Sequence, residues 1–346
     1  VRGWFLRPLS GLVCLFLYGV AAVSAQEDAL QAFRRNGETL ALVQTGSSAR
    51  LELSGPRSLG LTLPDRTTVS SLAALDGGWL AAGSVPNARG GRNLVLLRGN
   101  DKRSLPLAEP PGQEGFIRLS PVFLVDGGRL AGLAWLEGDD LRSLSVRAAA
   151  WTGQRWGAIQ QVSHPGPGSQ LALAGAVLDD GSWLLAWSAF DGTADEIVWS
   201  RRVGETWLPV SRLSKTNEVP DVTPALATTA GGALIAWSRY DGQGYQLRLA
   251  RFDRARGEWQ DERAAAPSGS VFPTFAGGLD GARLLYQDAV PRGWSVLDLD
   301  RQGRTVAKAS VASTLGRPVL SFAGGEVRMR WPSEKREASA RLEKTP

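Results

Sequence analysis

Two segments hold the residue types best suited to chemistry. SKTNEVPD carries Glu218 and Asp221, and WSRYDG carries Arg239, Tyr240 and Asp241. A Glu/Asp pair with arginines nearby suits binding or hydrolysis of an anionic sugar. One carboxyl gives a proton while the other takes one, and a guanidinium fork matches a carboxylate. Arg118 in GQEGFIRLSP and Arg317 in TLGRP extend the set. Glu218 and Asp221 are therefore candidate catalytic carboxylates, and Arg118, Arg239 and Arg317 candidate ligand-binding residues.

A second set is acidic. Asp191 and Asp241 stand in the matching segments WSAFDG and WSRYDG, with Asp140 (beside Asp139) and Asp288 in similar places. Together they would form a ring of acceptors for sugar hydroxyls or a cation. Asp-Gly is also a turn signal in its own right. Calcium asks for about six oxygen ligands close together, and no loop has a dense Asp-x-Asp-x-Asp run, so no metal site is expected. His164, the single histidine, excludes a histidine metal cluster. It reads as an exposed loop residue and joins the ligand-binding candidates. No cofactor is expected.

These residues need a frame, and the sequence supplies one by repetition. A short turn before an apolar strand recurs as NGETLALV, DGGWLAAG, DGGRLAGLAW, DDGSWLLAWS, AGGALIAWS, LDGARLLYQ and AGGEVRMRW. The spacing is roughly 40 to 50 residues, and each unit reads as four short strands separated by turn residues. The apolar runs are too short and too often broken by Gly for helices. The expected fold is therefore all-β, a single β-propeller of four-stranded antiparallel blades over residues 31–346. Seven blades are preferred and six possible, the latter if an N-terminal strand completes the last repeat. Trp135, Trp187 and Trp237 recur near the end of the second strand, and Trp156, Trp207 and Trp259 after the third-to-fourth turn. Their periodicity marks them as packing residues between blades.

The turn SRRVGETW keeps Ser200, Gly204 and Trp207 at the spacing Ser-x-Asp-x-Gly-x-x-Trp, with Arg202 in the Asp position. TGQRW keeps Gly153 and Trp156; DRARGEW keeps Gly257, and DRQGRTV keeps Gly303. In these turns the chain resembles the sialidase-like, BNR or Asp-box, propeller superfamily, in degenerate form. The resemblance implies that the boxes are structural turns on the face opposite the ligand site. It also implies a site of three arginines, a tyrosine nucleophile activated by Glu, and an acidic acid/base residue. Tyr240 is the candidate for the tyrosine, although it lies in a hairpin loop. The first-blade Arg-Ile-Pro of that family is absent.

The N-terminus points to export. Arg2 and Arg7 precede an apolar stretch, Leu9 to Val23, that ends in Val23-Ser24-Ala25. Residues 1–25 read as a signal peptide and 26–30 as a short tether. The apolar stretch is shorter than the ~20 residues of a comfortable span, so no stable membrane anchor is expected after cleavage. The only cysteine, Cys14, lies in this segment. A periplasmic or secreted monomer is expected. The net charge of +5 comes from Arg spread along the chain and not from a basic tract, which argues against nucleic-acid binding. The leading expectation is an exported, non-catalytic propeller that binds a protein or carbohydrate partner through its loop face. The alternative is a sialidase-like glycoside hydrolase acting on an anionic sugar.

Overall fold

The computed structural model describes residues 30–34, 38–45, 48–53, 58–112, 115–213, 218–276, 281–332 and 334–345. The expected signal peptide, 1–25, and all but the last residue of the tether lie outside the described residues. Strands and turns make up the rest, with no helix among the described residues.

The strands follow one another as antiparallel meanders. The first sheet is β1 (Leu30–Phe33), β2 (Thr39–Thr45), β3 (Ser48–Leu53) and β4 (Ser58–Thr62). The second joins β5 (Thr68–Leu75), β6 (Gly78–Pro86), β7 (Arg92–Gly99) and β8 (Ser104–Leu107) to β9 (Ile117–Asp126), β10 (Arg129–Gly138), β11 (Ser145–Ala150) and β12 (Gln160–Gln161). The third holds β13 (Gln170–Val177), β14 (Trp183–Phe190), β15 (Asp195–Val203), β16 (Thr206–Trp207) and β17 (Ser211–Arg212). The fourth is β18 (Asp221–Thr229), β19 (Gly232–Tyr240), β20 (Tyr245–Asp253) and β21 (Glu258–Ser268). The fifth begins with β22 (Ser270–Ala276), β23 (Ala282–Ala289), β24 (Arg292–Leu299) and β25 (Thr305–Ala312). The last has three strands, β26 (Val319–Ala323), β27 (Glu326–Trp331) and β28 (Arg336–Arg341), and the terminal β29 (Glu343–Lys344) returns to pair with β25.

The architecture is an all-β propeller, but its sheets are not the seven separate blades preferred from the repeats. Among the described residues five sheets have four strands or more and one has three. Two pairings account for the difference. A single parallel pair, Arg92↔Ile117, joins β7 to β9 and fuses the second and third repeats. At the C-terminus, β29 pairs with β25, so it does not give the last repeat a fourth strand. Nor does an N-terminal strand complete that repeat, because β1 pairs with β2 of its own sheet. The two ends of the chain meet through side chains instead. Gln31 bonds the backbone of Leu320 in both directions, and Arg330 bridges to Glu52 at 2.5 Å.

The first strand of each repeat faces its neighbours, so β5, β9, β13, β18 and β22 touch in turn. Most of these strands carry the same irregularity. Ser120, Ala172, Thr223 and Phe272 have φ of 49°, 52°, 55° and 56° at breaks in the register with the second strand. A bulge of this kind bends the strand and re-aims its side chains. Two residues before each bulge stand Arg118, Gln170, Asp221 and Ser270, all buried. On the second strands Trp135, Trp187, Trp237 and Tyr286 are fully buried. Trp187, for example, packs with Leu124 and Val146 of the preceding repeat. These aromatics therefore cement neighbouring sheets, as their periodicity implied.

Candidate functional site

The strand register sets the site. In β9 and β10, Arg118 lies opposite Glu137; in β18 and β19, Asp221 lies opposite Arg239. Both are buried ion pairs, with the charges exchanged between strands. Arg118 Nε donates to Glu137 Oε2 at 2.8 Å, and its terminal nitrogens donate to Glu109 Oε2 and to the carbonyls of Pro110 and Pro111. Arg239 donates to both oxygens of Asp221, at 2.7 and 2.9 Å, and to Glu262 at 3.0 Å. A tryptophan completes each pair, because Trp135 Nε1 donates to Glu137 at 3.0 Å and Trp237 Nε1 to Asp221 at 2.9 Å. The carboxylate of Asp221 is 0 % exposed and accepts three donors.

The register therefore brings Asp221 and Arg239 together across two neighbouring strands, but in the geometry of a strut. Arg118 serves a different carboxylate two repeats away, so the two guanidiniums share no partner. Arg317 lies half-buried just before β26. Glu218 is exposed in the loop before β18. Tyr240 ends β19; its hydroxyl donates to Gly242 O at 3.1 Å, and its ring lies 5.4 Å from that of Tyr245. A tyrosine nucleophile needs a lowered proton affinity. Burial, with Asp288 beside it, pushes the Tyr286 hydroxyl up.

The acidic set acts on its own turns. Asp140 accepts from the backbone of Arg142 and Ser143, Asp191 from Thr193 and Ala194, and Asp241 from Gln243 and Gly244. Each is an Asx turn. Asp191 also bridges to Arg212 at 2.8 Å. Asp288 takes hydrogen bonds from Ser270 and Ser295. Among the described residues no group of three or more His, Cys, Asp or Glu is placed to hold a metal.

These turns carry a pH dependence. The backbone N–H groups of Gln243 and Gly244 hold the Asp241 carboxyl below its ordinary value. For Asp191, burial pushes the carboxyl up, but the Thr193 and Ala194 N–H groups and Arg212 outweigh it and the net direction is down. A carboxyl lowered in the folded state stabilises the fold fully above its unfolded value of about 3.9. That contribution is lost as pH falls through the lower folded value. Stability is expected to hold level from pH 7 to 5 and to fall below about pH 4. Asp191→Asn with Asp241→Asn keeps an acceptor at both turns and should flatten that fall in acid unfolding curves. Unchanged curves would show that other carboxylates dominate.

The third-to-fourth turns fall where the sequence put them. SRRVGETW closes β15 onto β16, with Arg202 paired to Trp207 and Gly204 at φ 59°. Arg202 stacks over Trp183 at 4.4 Å, and both Arg202 and Trp207 donate to Gln160 Oε1. In this turn an arginine anchored to the neighbouring sheet stands where the box would carry its Asp.

A concavity lies beside it. A cleft of about 530 Å³ opens between the strand pair β11–β12 and the third sheet. Its apolar wall is Val162, Ala189, Phe190, Val198, Trp207 and Leu208, and Trp187 forms part of its floor. Its polar groups are Gln161, Ser163, His164 and Gln170, and among the described residues no Asp, Glu, Lys or Arg lines it. The loop VSHPGPGS and the segment WSAFDG meet here, tied by Phe190 N to Ser169 O at 3.2 Å. His164 is exposed at the rim, with Nδ1 2.8 Å from Gln161 Nε2. Sequence reasoning singled out His164 and missed Gln170, Trp187 and Ala189 as a set. The signal was readable. Aligned repeats give Trp135-Leu136-Glu137, Trp187-Ser188-Ala189, Trp237-Ser238-Arg239 and Tyr286-Gln287-Asp288, and only the second lacks a polar third residue.

No family model matches the chain, and no curated protein matches it in sequence. Solved structures match its fold. An ulvan lyase of polysaccharide lyase family PL25, bound to -[GlcA(1-4)Rha3S]-, has a TM-score of 0.57 at 11% identity over 92% of this chain and 93% of its own. TolB from Acinetobacter baumannii has a TM-score of 0.51 at 13% identity, over 87% of this chain and 68% of its own. A prolyl endopeptidase structure gives 0.51 at 11% identity, over 93% of this chain and 51% of its own. At such identities the likeness shows the β-propeller fold.

Proposed function

We propose that the protein is an exported, non-catalytic β-propeller that binds a carbohydrate in the cleft beside Trp187. The observation that carries this reading is the composition of the cleft, with aromatic and aliphatic walls, a few convergent polar groups and no carboxylate. Such a lining, in a volume within the range of small-ligand sites, is that of a binding pocket. The C–H faces of a pyranose ring pack on Phe190 and Trp207, while its hydroxyls reach Gln161 and His164. Glycoside hydrolysis asks for two carboxyl groups about 5 to 9.5 Å apart. Among the described residues no carboxylate lines the cleft, and Asp221 and Glu137 are bound up in ion pairs with Arg239 and Arg118. The sialidase-like hydrolase is therefore the weaker reading. The ulvan lyase, which binds an acidic disaccharide repeat on the same fold, supports sugar recognition as a use of this architecture. Export rests on residues 1–25.

The test is retention on an immobilised glycan panel, followed by calorimetry on the ligand found. Phe190→Ala is expected to weaken binding at least tenfold, about 1.4 kcal/mol, with little change in the unfolding midpoint. A panel with no bound glycan, or a Phe190→Ala variant that binds as well as the parent, would overturn the reading.

A further inference from the structure

Of the three aligned second-strand tryptophans, one buries an indole donor without a match. Trp135 and Trp237 each give their Nε1 hydrogen to a carboxylate, and each carboxylate is held by an arginine on the adjacent strand. Trp187 stands at the same place, 1 % exposed, and its Nε1 has no hydrogen-bond partner among the described residues. The positions that supply the acceptor elsewhere are here Ala189 and Gln170, which pair across the strands. Ala189 has no polar side-chain atom. Gln170 is turned to other partners, with Oε1 accepting from Ser163 and Nε2 donating to Leu144 O and His164 O, and it does not accept from Trp187 Nε1. Trp187, Ala189 and Gln170 all line the cleft.

A buried N–H left unmet is destabilising, so an acceptor that reaches it relieves that cost. The surroundings narrow the choice. Among the described residues no Lys or Arg lines the cleft, so an ionised carboxylate would be buried there without a counter-charge from them, at high cost. The acceptor must therefore be neutral. Its shape follows from the sister repeat, where the place above Ala189 is filled by the side chain of Glu137, a flat three-atom head on a short stem. An acetamido group has the same flat outline, with one carbonyl oxygen and a methyl group. Val162 and Val198 offer the methyl an apolar wall. Building on the reading of the cleft as a sugar site, we infer that the niche of Trp187, Ala189 and Gln170 binds the acetamido group of an N-acetylated amino sugar. The carbonyl oxygen accepts from Trp187 Nε1.

The test compares β-1,4-linked N-acetylglucosamine oligomers with glucose oligomers of the same length and with de-N-acetylated oligomers, by calorimetry on the purified protein. The acetylated series should bind at least tenfold more tightly. Trp187→Phe, which keeps the ring and removes the donor, should cut that preference at least fivefold. Ala189→Gln supplies an amide carbonyl from within; it should abolish binding while leaving the unfolding midpoint level or higher. If Ala189→Gln does not fold, Trp187→Phe alone decides. Equal binding of acetylated and plain sugars would overturn this inference and leave the glycan reading standing. No binding of any sugar, or binding of an N-acetyllysine peptide in their place, would overturn both.

Discussion

Asp221→Ala is expected to destabilise the protein by roughly 3–5 kcal/mol, because it leaves the half-buried guanidinium of Arg239 without the buried carboxylate it grips in two hydrogen bonds. The value should fall at the lower end of that range. Arg239 keeps Glu262 as a partner, and its side chain is 20% exposed. Two further losses push the other way. Trp237 Nε1 loses its acceptor, and the carboxylate's own volume becomes a cavity. The midpoint of chemical unfolding measures the total. The third repeat then offers a sharper test, since it runs the same device with the charges exchanged. Asp221→Arg alone places two arginines face to face and should be worse than Asp221→Ala. Asp221→Arg with Arg239→Glu restores the arrangement of Arg118 and Glu137, and Glu at 239 again stands two residues from a tryptophan N–H. The double variant should recover at least about 2 kcal/mol relative to Asp221→Arg, the size of coupling seen between contacting charges. No recovery would mean that the loop around Pro220 cannot accept an arginine as the carbonyls of Pro110 and Pro111 do. Glycan binding should survive the Asp221 substitutions in whatever fraction folds, since Asp221 does not line the cleft.

The ion pairs also mark how far the sequence could be read. Gly-turn and strand spacings repeated often enough to give the propeller, and the turn at SRRVGETW sits between the third and fourth strands, β15 and β16. The number of sheets was not readable, because it turns on two long-range choices. The parallel contact of Arg92 with Ile117 and the return of β29 to β25 are each made by a few backbone groups. No local pattern encodes them. The site was legible in its residue types and not in their pairing. Asp221 and Arg239 are 18 residues apart, and only the register of β18 on β19 makes them neighbours. Asp191 and Asp241 were legible as turn residues, and one oxygen of each is taken by the N–H groups of its own turn. The cleft was hardest to see, since it arises where a side chain is small. Ala189 draws no attention until it is set beside Glu137 and Arg239.

Phenylalanine substitutions at the two equivalent tryptophans should therefore separate. Both replace an indole by the smaller phenyl ring at a fully buried position, so the packing cost is shared and largely cancels in the comparison. What differs is the indole N–H. Trp237→Phe takes a donor from the buried carboxylate of Asp221, and a hydrogen bond to a charged group contributes about 1.5–3 kcal/mol. Trp187→Phe removes a donor that has no partner among the described residues, and with it the penalty of burying it. The first variant should be less stable than the second by about 2 kcal/mol or more, and Trp135→Phe should resemble Trp237→Phe because Glu137 is its acceptor. Chemical unfolding of the three variants side by side makes the measurement. A Trp187→Phe variant as damaged as the other two would mean that Nε1 is satisfied in solution, and the niche would have no unmet donor to offer a ligand. The expected ordering would mean that this repeat has given up a stabilising contact its sisters keep. A ligand that supplies the acceptor would then restore it, and should raise the unfolding midpoint of the parent more than that of Trp187→Phe.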